Sequence, residues 1–360
     1  MAAGNSRVQI ASEQDPKPAT GRPRVALFAL GGTIASAAGS GSRGADVTLT
    51  PEELVATIPG LGEIATIEAR SLRQVPSGDL TMSDALEVAQ AIRTASAQGF
   101  NGAVVTQGTD TLEEVAFVLD SVVDASITVV VTGAMRNASL PGSDGPANLL
   151  AAVRVATDPS AGGMGALVVF NDEIHAARFV RKRGTTTTAT FGSPLTGPLG
   201  VVVEDRVSVF VRPRGRILVH LPDDPPARRV ALVPIGFDDA GDLLEAAGRA
   251  AFDGIVVAAF GAGHVPRRLV PVLRDLNDRV PVVIASRTFA GDMLASTYSY
   301  PGGEMDLRAA GLTFAGAYDA IHARVLVQLL LMAGASRSDI TRAFAAGLTQ
   351  DGTLSFGSPA

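Results

Sequence analysis

Thr33 and Thr109 each follow a glycine, and each lies just past a short apolar run. Gly31-Gly32-Thr33-Ile34-Ala35-Ser36 comes after Val25-Ala26-Leu27-Phe28. Gln107-Gly108-Thr109-Asp110-Thr111-Leu112-Glu113-Glu114 comes after Ala103-Val104-Val105. A threonine hydroxyl becomes a nucleophile only when a base takes its proton. Paired glycines let the backbone approach a ligand closely and aim N–H groups at it. Gly32-Thr33 is equally compatible with a phosphate-binding turn or a plain tight turn, although the chain has neither a Gly-Lys-Ser/Thr nor a GxGxxG motif. In the second turn Asp110 can hold an ammonium group by a charge-assisted hydrogen bond. Thr109 can act as a second nucleophile or place a water. The competing use of Thr109, Asp110 and Thr111 is to cap a helix starting near Leu112, with Glu113 or Glu114 in its first turn. Capping suits Thr111 best.

Lys182 stands out by composition. The only other lysine is Lys17, and every other permanently basic side chain is arginine. Lysine differs from arginine in that its pKa falls on burial, so it can accept a proton. The alternative is a surface charge between Arg181 and Arg183. Ser77 and Asp79, in Pro76-Ser77-Gly78-Asp79-Leu80-Thr81, offer a hydroxyl and turn N–H groups to a carboxylate. They also read as a turn and cap before the next helix. Thr132-Gly133-Ala134-Met135-Arg136 and Ser143-Asp144-Gly145-Pro146-Ala147-Asn148 read as structural, shaping a floor and capping a helix.

These groups must be held by elements that alternate. Strands are expected over 24–30, 102–106, 127–132 and 166–171, and helices over 51–58 (capped by Thr50), 83–97, 112–122 and 146–156. Alternation of this kind predicts βαβ units, an α/β fold and a parallel sheet. Both threonines would then lie beyond the carboxyl ends of strands, where open α/β sheets bind ligands. Turn-rich sequence around 211–229 marks a boundary, after which 230–234, 254–260 and 280–286 read as strands and 320–332 as a helix. The expected organisation is a disordered tail (1–22), an N-terminal catalytic domain (23–212), a linker (213–228) and a smaller C-terminal α/β domain (229–360). The Gly/Ser-rich stretch 36–44, just after Thr33, reads as a flexible loop able to act as a lid.

At 360 residues, with 46% hydrophobic residues, the chain can bury a sizeable core. A net charge of −6 argues against nucleic acid or an anionic membrane as partner. With no cysteine, disulfides, thiolate metal sites and a cysteine nucleophile are excluded, and the four histidines lack metal-ligand spacing. No apolar run reaches the ~18 residues a membrane span needs. The N-terminal stretch has no signal-peptide character, so a cytoplasmic protein is expected.

Taken together, Gly31–Ser36, Gly108–Glu114, Thr132–Arg136, Asp144–Asn148 and the 171–191 stretch containing Lys182 resemble the bacterial-type L-asparaginase/glutaminase family, in order over roughly 24 to 345. The resemblance implies a parallel-sheet N-terminal domain with a smaller C-terminal α/β domain, and hydrolysis of L-asparagine to L-aspartate and ammonia, with glutaminase side activity. Thr33 would form the acyl-enzyme. Thr109, Asp110 and Lys182 would form the adjacent triad. Backbone N–H groups around Gly32–Thr33 and Gly108–Thr109 would hold the oxyanion. Asp110 would bind the substrate α-ammonium, and Ser77 with Asp79 its α-carboxylate. No metal or cofactor is implied, and the assembly would be a homo-oligomer, a dimer of dimers whose partner subunit closes the site.

Three departures from the family pattern stand out. Gln107 replaces a frequent histidine, Gly78 replaces a longer polar residue, and no tyrosine lies between Thr33 and Thr50. Tyr298 or Tyr300, from the C-terminal domain of a partner, is the expected substitute for that tyrosine, and His264 is a further lining candidate. The alternatives are an amidohydrolase for D-asparagine or a larger amide, and a catalytically silent amino-acid-binding protein.

Overall fold

The computed structural model describes residues 21–38, 45–47, 50–56, 58–124, 126–347 and 351–358. The N-terminal part is an eight-stranded sheet built from β1 (Arg24–Ala29), β2 (Thr66–Ser71), β3 (Gly102–Thr106), β4 (Thr128–Thr132), β5 (Ala166–Phe170), β6 (Glu173–Ala176), β7 (Gly200–Val203) and β8 (Arg206–Val209), in the spatial order β8-β7-β6-β5-β4-β3-β1-β2. The strands from β2 to β5 run parallel, and the last three are antiparallel. The chain lays β2 on one side of β1 and returns to lay β3 on the other. The carboxyl ends of β1 and β3 therefore flank a topological switch point, the crevice where such sheets bind ligands.

Strands β3, β4 and β5 are buried on both faces, which explains their unbroken Val/Ala/Leu composition. One face is covered by α1 (Met82–Ala97) and α2 (Leu112–Val122), the other by α3 (Gly145–Thr157). Helix α1 begins with a reciprocal capping box between Thr81 and Asp84. Helix α2 is apolar nearly all round because the sheet lies on one side and the second domain on the other.

The C-terminal part holds four parallel strands, β9 (Val230–Pro234), β10 (Gly254–Ala259), β11 (Val282–Ser286) and β12 (Thr313–Asp319), side by side in that order. Helix α4 (Ala320–Met332) crosses from this sheet onto α2. Phe117 of α2 packs there between Tyr318 and His322, with ring centroids 5.9 and 4.7 Å away. One continuous apolar cluster runs through both parts.

The expected elements correct in detail. The 66–71 segment, Thr-Ile-Glu-Ala-Arg-Ser, is a strand that no apolar run announces, because it lies at the sheet edge with mostly exposed side chains. The stretch expected as a linker contains a strand, Gly215–Val219, paired in parallel with Gly352–Phe356. The helix expected over 51–58 spans Pro51–Ala56, with Thr50 and Glu53 bonded reciprocally at 3.2 and 2.8 Å. The stretch expected as a flexible lid starts as an antiparallel ribbon, Ser36–Ala38 on Ala45–Val47. Its centre, 39–44, lies outside the described residues, as do residues 1–20 of the expected tail.

Candidate active site

Four loops leave the carboxyl edge of the sheet and cross backbone against backbone. Gly31 and Gly32 take φ of 96° and 82°, the left-handed region open to glycine. A Cβ on Gly31 would lie 2.7 Å from the backbone of Val75, and one on Gly32 would collide with the backbone of Gly108. A Cβ on Gly108 would meet Ser77 Oγ at 2.8 Å, and one on Gly133 the Gln107 carbonyl at 2.5 Å. The glycines of both motifs thus serve contact between loops as well as contact with a ligand. They bring Thr33, Ser77 and Thr109 onto one small patch.

Thr33 opens a single 3-10 turn, Thr33–Ala35, and is half-buried. Among the described residues its hydroxyl takes no hydrogen bond. Thr109 is buried, and its Oγ1 accepts from Lys182 Nζ at 2.9 Å. The same Nζ donates to Asp110 Oδ1 at 2.6 Å. The Asp110 side chain is 78% exposed, so the cluster opens to solvent on the aspartate side. Lys182 comes from a two-residue strand, Arg181–Lys182, paired with Phe191–Gly192. Its amine is held against a hydroxyl, which removes the reading of a free surface charge.

The capping alternatives resolve differently. Thr111 occupies the N-cap position of α2 without a side-chain cap, and its hydroxyl donates to the Ser77 carbonyl at 2.9 Å. Asp110 is engaged by Lys182 instead. Ser77 is buried and its Oγ accepts the Asp110 N–H at 3.2 Å, while Thr81 caps α1. Asp79 is exposed within the 3-10 turn Ser77–Asp79. Gly78 is exposed too, with nothing within 4 Å of an added Cβ. Asp144, in the segment expected to cap α3, offers that helix no side-chain cap and accepts N–H bonds from Met135 and Arg136, fastening the loop after β4. Asn148 bridges the Gly133 carbonyl and the Asn171 N–H.

Tyr298 lies in the C-terminal part, in an aromatic group with Tyr300 and His264, and among the described residues no hydrogen bond or ring contact joins it to Thr33 or Lys182 of the same chain. Tyr300 Oη is 3.0 Å from His264 Nδ1, and His264 Nε2 is 3.1 Å from Glu304 Oε2. Burial pushes the Glu304 carboxyl up, but the N–H groups of Tyr298 and Thr297, with His264, outweigh it and hold the acid below its ordinary range. Both tyrosines are about half exposed. Gln107 is fully buried, and its side-chain amide has no partner among the described residues.

A second grouping has hydrolase-like chemistry, with His175 Nδ1 3.0 Å from Ser193 Oγ and Nε2 3.2 Å from Glu173 Oε2. His175 and Ser193 are both buried, leaving a substrate no access to the hydroxyl. Burial, helped by Arg183, pushes the imidazole pKa down to about 4 and keeps it neutral. This grouping is structural.

One residue bonded to the site escaped the sequence reading. Glu113, seen there only as a first-turn acid, accepts the backbone N–H of Lys182 and is 3.2 Å from Arg181 Nε.

The fold is a two-domain α/β architecture, a large mostly parallel sheet followed by a smaller parallel one, with the threonine turns at the carboxyl edge of the first. Residues 24–214 match the family model for the asparaginase N-terminal domain, and 229–344 match that for the glutaminase/asparaginase C-terminal domain. A probable L-asparaginase of Deinococcus radiodurans is 39% identical, over 91% of this chain and 98% of that protein. An L-asparaginase of Bacillus licheniformis is 36% identical, over 86% and 95%. A glutaminase-asparaginase of Pseudomonas aeruginosa is 33% identical, over 83% and 84%. The crystal structure of a probable cytoplasmic L-asparaginase from Campylobacter jejuni superposes with a TM-score of 0.80 at 28% identity, covering 90% of this chain and 99% of that one. The chain belongs to the asparaginase/glutaminase family.

Proposed function

We propose that this enzyme hydrolyses L-asparagine to L-aspartate and ammonia, with some activity on L-glutamine, through an ester on Thr33. The observation that carries the reading is Lys182 Nζ held on Thr109 Oγ1 at 2.9 Å, beside the turn that presents Thr33. Thr33 Oγ attacks the amide carbon and loses its proton. The oxygen charge that develops is met by N–H groups around Gly32–Thr33 and Gly108–Thr109. The nitrogen leaves as ammonia after protonation, and water then cleaves the ester to release aspartate. Lys182 and Thr109 move the protons, with Asp110 holding the lysine amine in place at 2.6 Å. The exposed face of Asp110 meets the substrate α-ammonium, and the Ser77–Asp79 turn its α-carboxylate.

The half-exposed Tyr298, beside Tyr300 and His264, suits a contribution to the site of a second subunit in a dimer of dimers. The domain limits 23–212 and 229–360 and a cytoplasmic location belong to the same reading. No helix among the described residues is long and apolar enough to cross a membrane. One relative, from Haemophilus influenzae, is called a probable periplasmic L-asparaginase. The open space at Gly78 favours a second substrate reading, a larger or D-configured amide.

Ammonia release from L-asparagine, L-glutamine and D-asparagine by the purified protein tests these readings, with Thr33→Ala and Lys182→Met as controls. Turnover of L-asparagine lost in both variants supports the mechanism. Folded protein that turns over none of the three leaves a binding role or another amide.

A further inference from the structure

Lys182 is held at both ends by one short segment. Its amine reaches Thr109 and Asp110, and its backbone N–H is taken by Glu113, in the first turn of the helix that the same segment opens. The buried Glu113 carboxylate also receives Arg181 Nε at 3.2 Å. Arg181 Nη1 then pairs with Asp319 Oδ1, at the end of β12 in the other domain. Asp319 caps α4 by accepting from the Ile321 and His322 N–H groups, and its Oδ2 lies 2.6 Å from His322 Nδ1. All four side chains are buried or nearly so. Burial pushes the Asp319 carboxyl up, but His322 and Arg181 overcome this and hold it well below the usual range. Burial likewise lowers His322, but Asp319 overcomes it and raises the imidazole. Burial raises the Glu113 carboxyl too, against the opposing pull of Arg181 and the Lys182 N–H. With Glu113 ionised and His322 protonated the four groups carry two positive and two negative charges.

We propose that Glu113 is a positioning residue for Lys182, and that Arg181, Asp319 and His322 transmit that positioning from the C-terminal domain. The inference rests on the proton-transfer role given to Lys182 above. Two-point holding fixes where the lysine stem starts, and displacement of a reacting group by about 1 Å costs on the order of 100-fold in rate.

The test compares the steady-state kinetics of Glu113→Ala, Glu113→Gln, Asp319→Asn and Lys182→Met on L-asparagine, each per folded molecule, with thermal unfolding in parallel. Asp120→Asn serves as control. It breaks a buried pair with Arg178 at 2.9 Å that does not touch Lys182. Glu113→Ala is expected to lose kcat by roughly 10- to 100-fold, with KM within about threefold. Glu113→Gln keeps an oxygen for the Lys182 N–H and should recover most of that loss. Asp319→Asn should fall between them, and Asp120→Asn should unfold earlier at unchanged kcat. Should Asp319→Asn fail to fold, the comparison of Glu113→Ala with the near-isosteric Glu113→Gln still decides. Unchanged kcat in Glu113→Ala, or equal losses in Ala and Gln, overturns the inference. Wild-type activity in Lys182→Met removes instead the reading it stands on. An inactive Lys182→Met beside a normal Glu113→Ala removes the inference alone.

Discussion

Gly32 and Gly108, 76 positions apart in sequence, cross so closely that a Cβ on the first would overlap the backbone of the second. This crossing places the two threonine turns side by side, because each threonine directly follows its glycine. Gly32→Ala must relieve a backbone collision and a φ of 82° together. The variant should lose more stability than the ~1 kcal/mol of an average substitution and lose activity with it. Urea unfolding and ammonia release measure both.

Lys182→Arg is expected to be nearly as damaging as Lys182→Met. A guanidinium stays protonated and its planar fork does not fit a site shaped for a point donor to Thr109 and Asp110. A loss on the order of 10²–10⁴-fold in kcat corresponds to removal of one proton-transfer group. Activity within tenfold of wild type would assign Lys182 a purely electrostatic part.

His175 gives a pH signature for stability. Its folded pKa of about 4 lies below the ordinary 6.5. Its contribution is therefore complete above pH 6.5 and declines as pH falls toward 4, where the unfolded chain binds a proton that the folded one refuses. The decline amounts to about 3 kcal/mol for a separation of this size. Unfolding free energies at pH 7 and pH 4.5 should differ less in His175→Gln than in wild type.

Phe117→Ala removes the ring that seats the C-terminal domain on α2, between Tyr318 and His322. The expected cost is about 3–5 kcal/mol. Hydrogen exchange should show the loss concentrated in α2 and α4. Uniform loss over both sheets would mean that the two parts unfold as one unit.

Tyr298→Phe and Tyr300→Phe separate a catalytic from a packing use of the aromatic group. If either hydroxyl serves a neighbouring subunit's Thr33, its removal lowers kcat while Tm stays level. Unchanged kinetics in both variants would leave the activator of Thr33 elsewhere.

The buried parallel strands and the two glycine turns were legible because short apolar runs are followed within one to three residues by turn-forming residues. The range 102–106 for β3 and the range 112–122 for α2 stand as read. Lys182 was legible through its rarity among arginines. The edge strand Thr66–Ser71 was not, because half-solvated side chains leave no apolar pattern. The capping use of Thr111 was misread, since local spacing cannot reveal that its hydroxyl is taken by the Ser77 carbonyl 34 residues away. Glu113 stayed hidden for the same reason. Its partners Arg181 and Lys182 lie 68 and 69 residues downstream, and Asp319 lies 138 beyond Arg181.

The pairing of Gly215–Val219 with Gly352–Phe356 bears on the order of events during synthesis. The segment leaving the first domain waits for a partner made about 130 residues later, and Arg214 gains its bidentate contact with Asp351 at 2.7 and 2.6 Å only then. Domains fold as units, the N-terminal one first, as the chain emerges. Both main sheets can thus be complete while the strand between them still has an open edge. Over that interval the nascent chain carries an unpaired strand, the kind of edge that recruits another chain. A stalled or shortened product ending before Gly352 would keep both sheets and retain that adhesive edge.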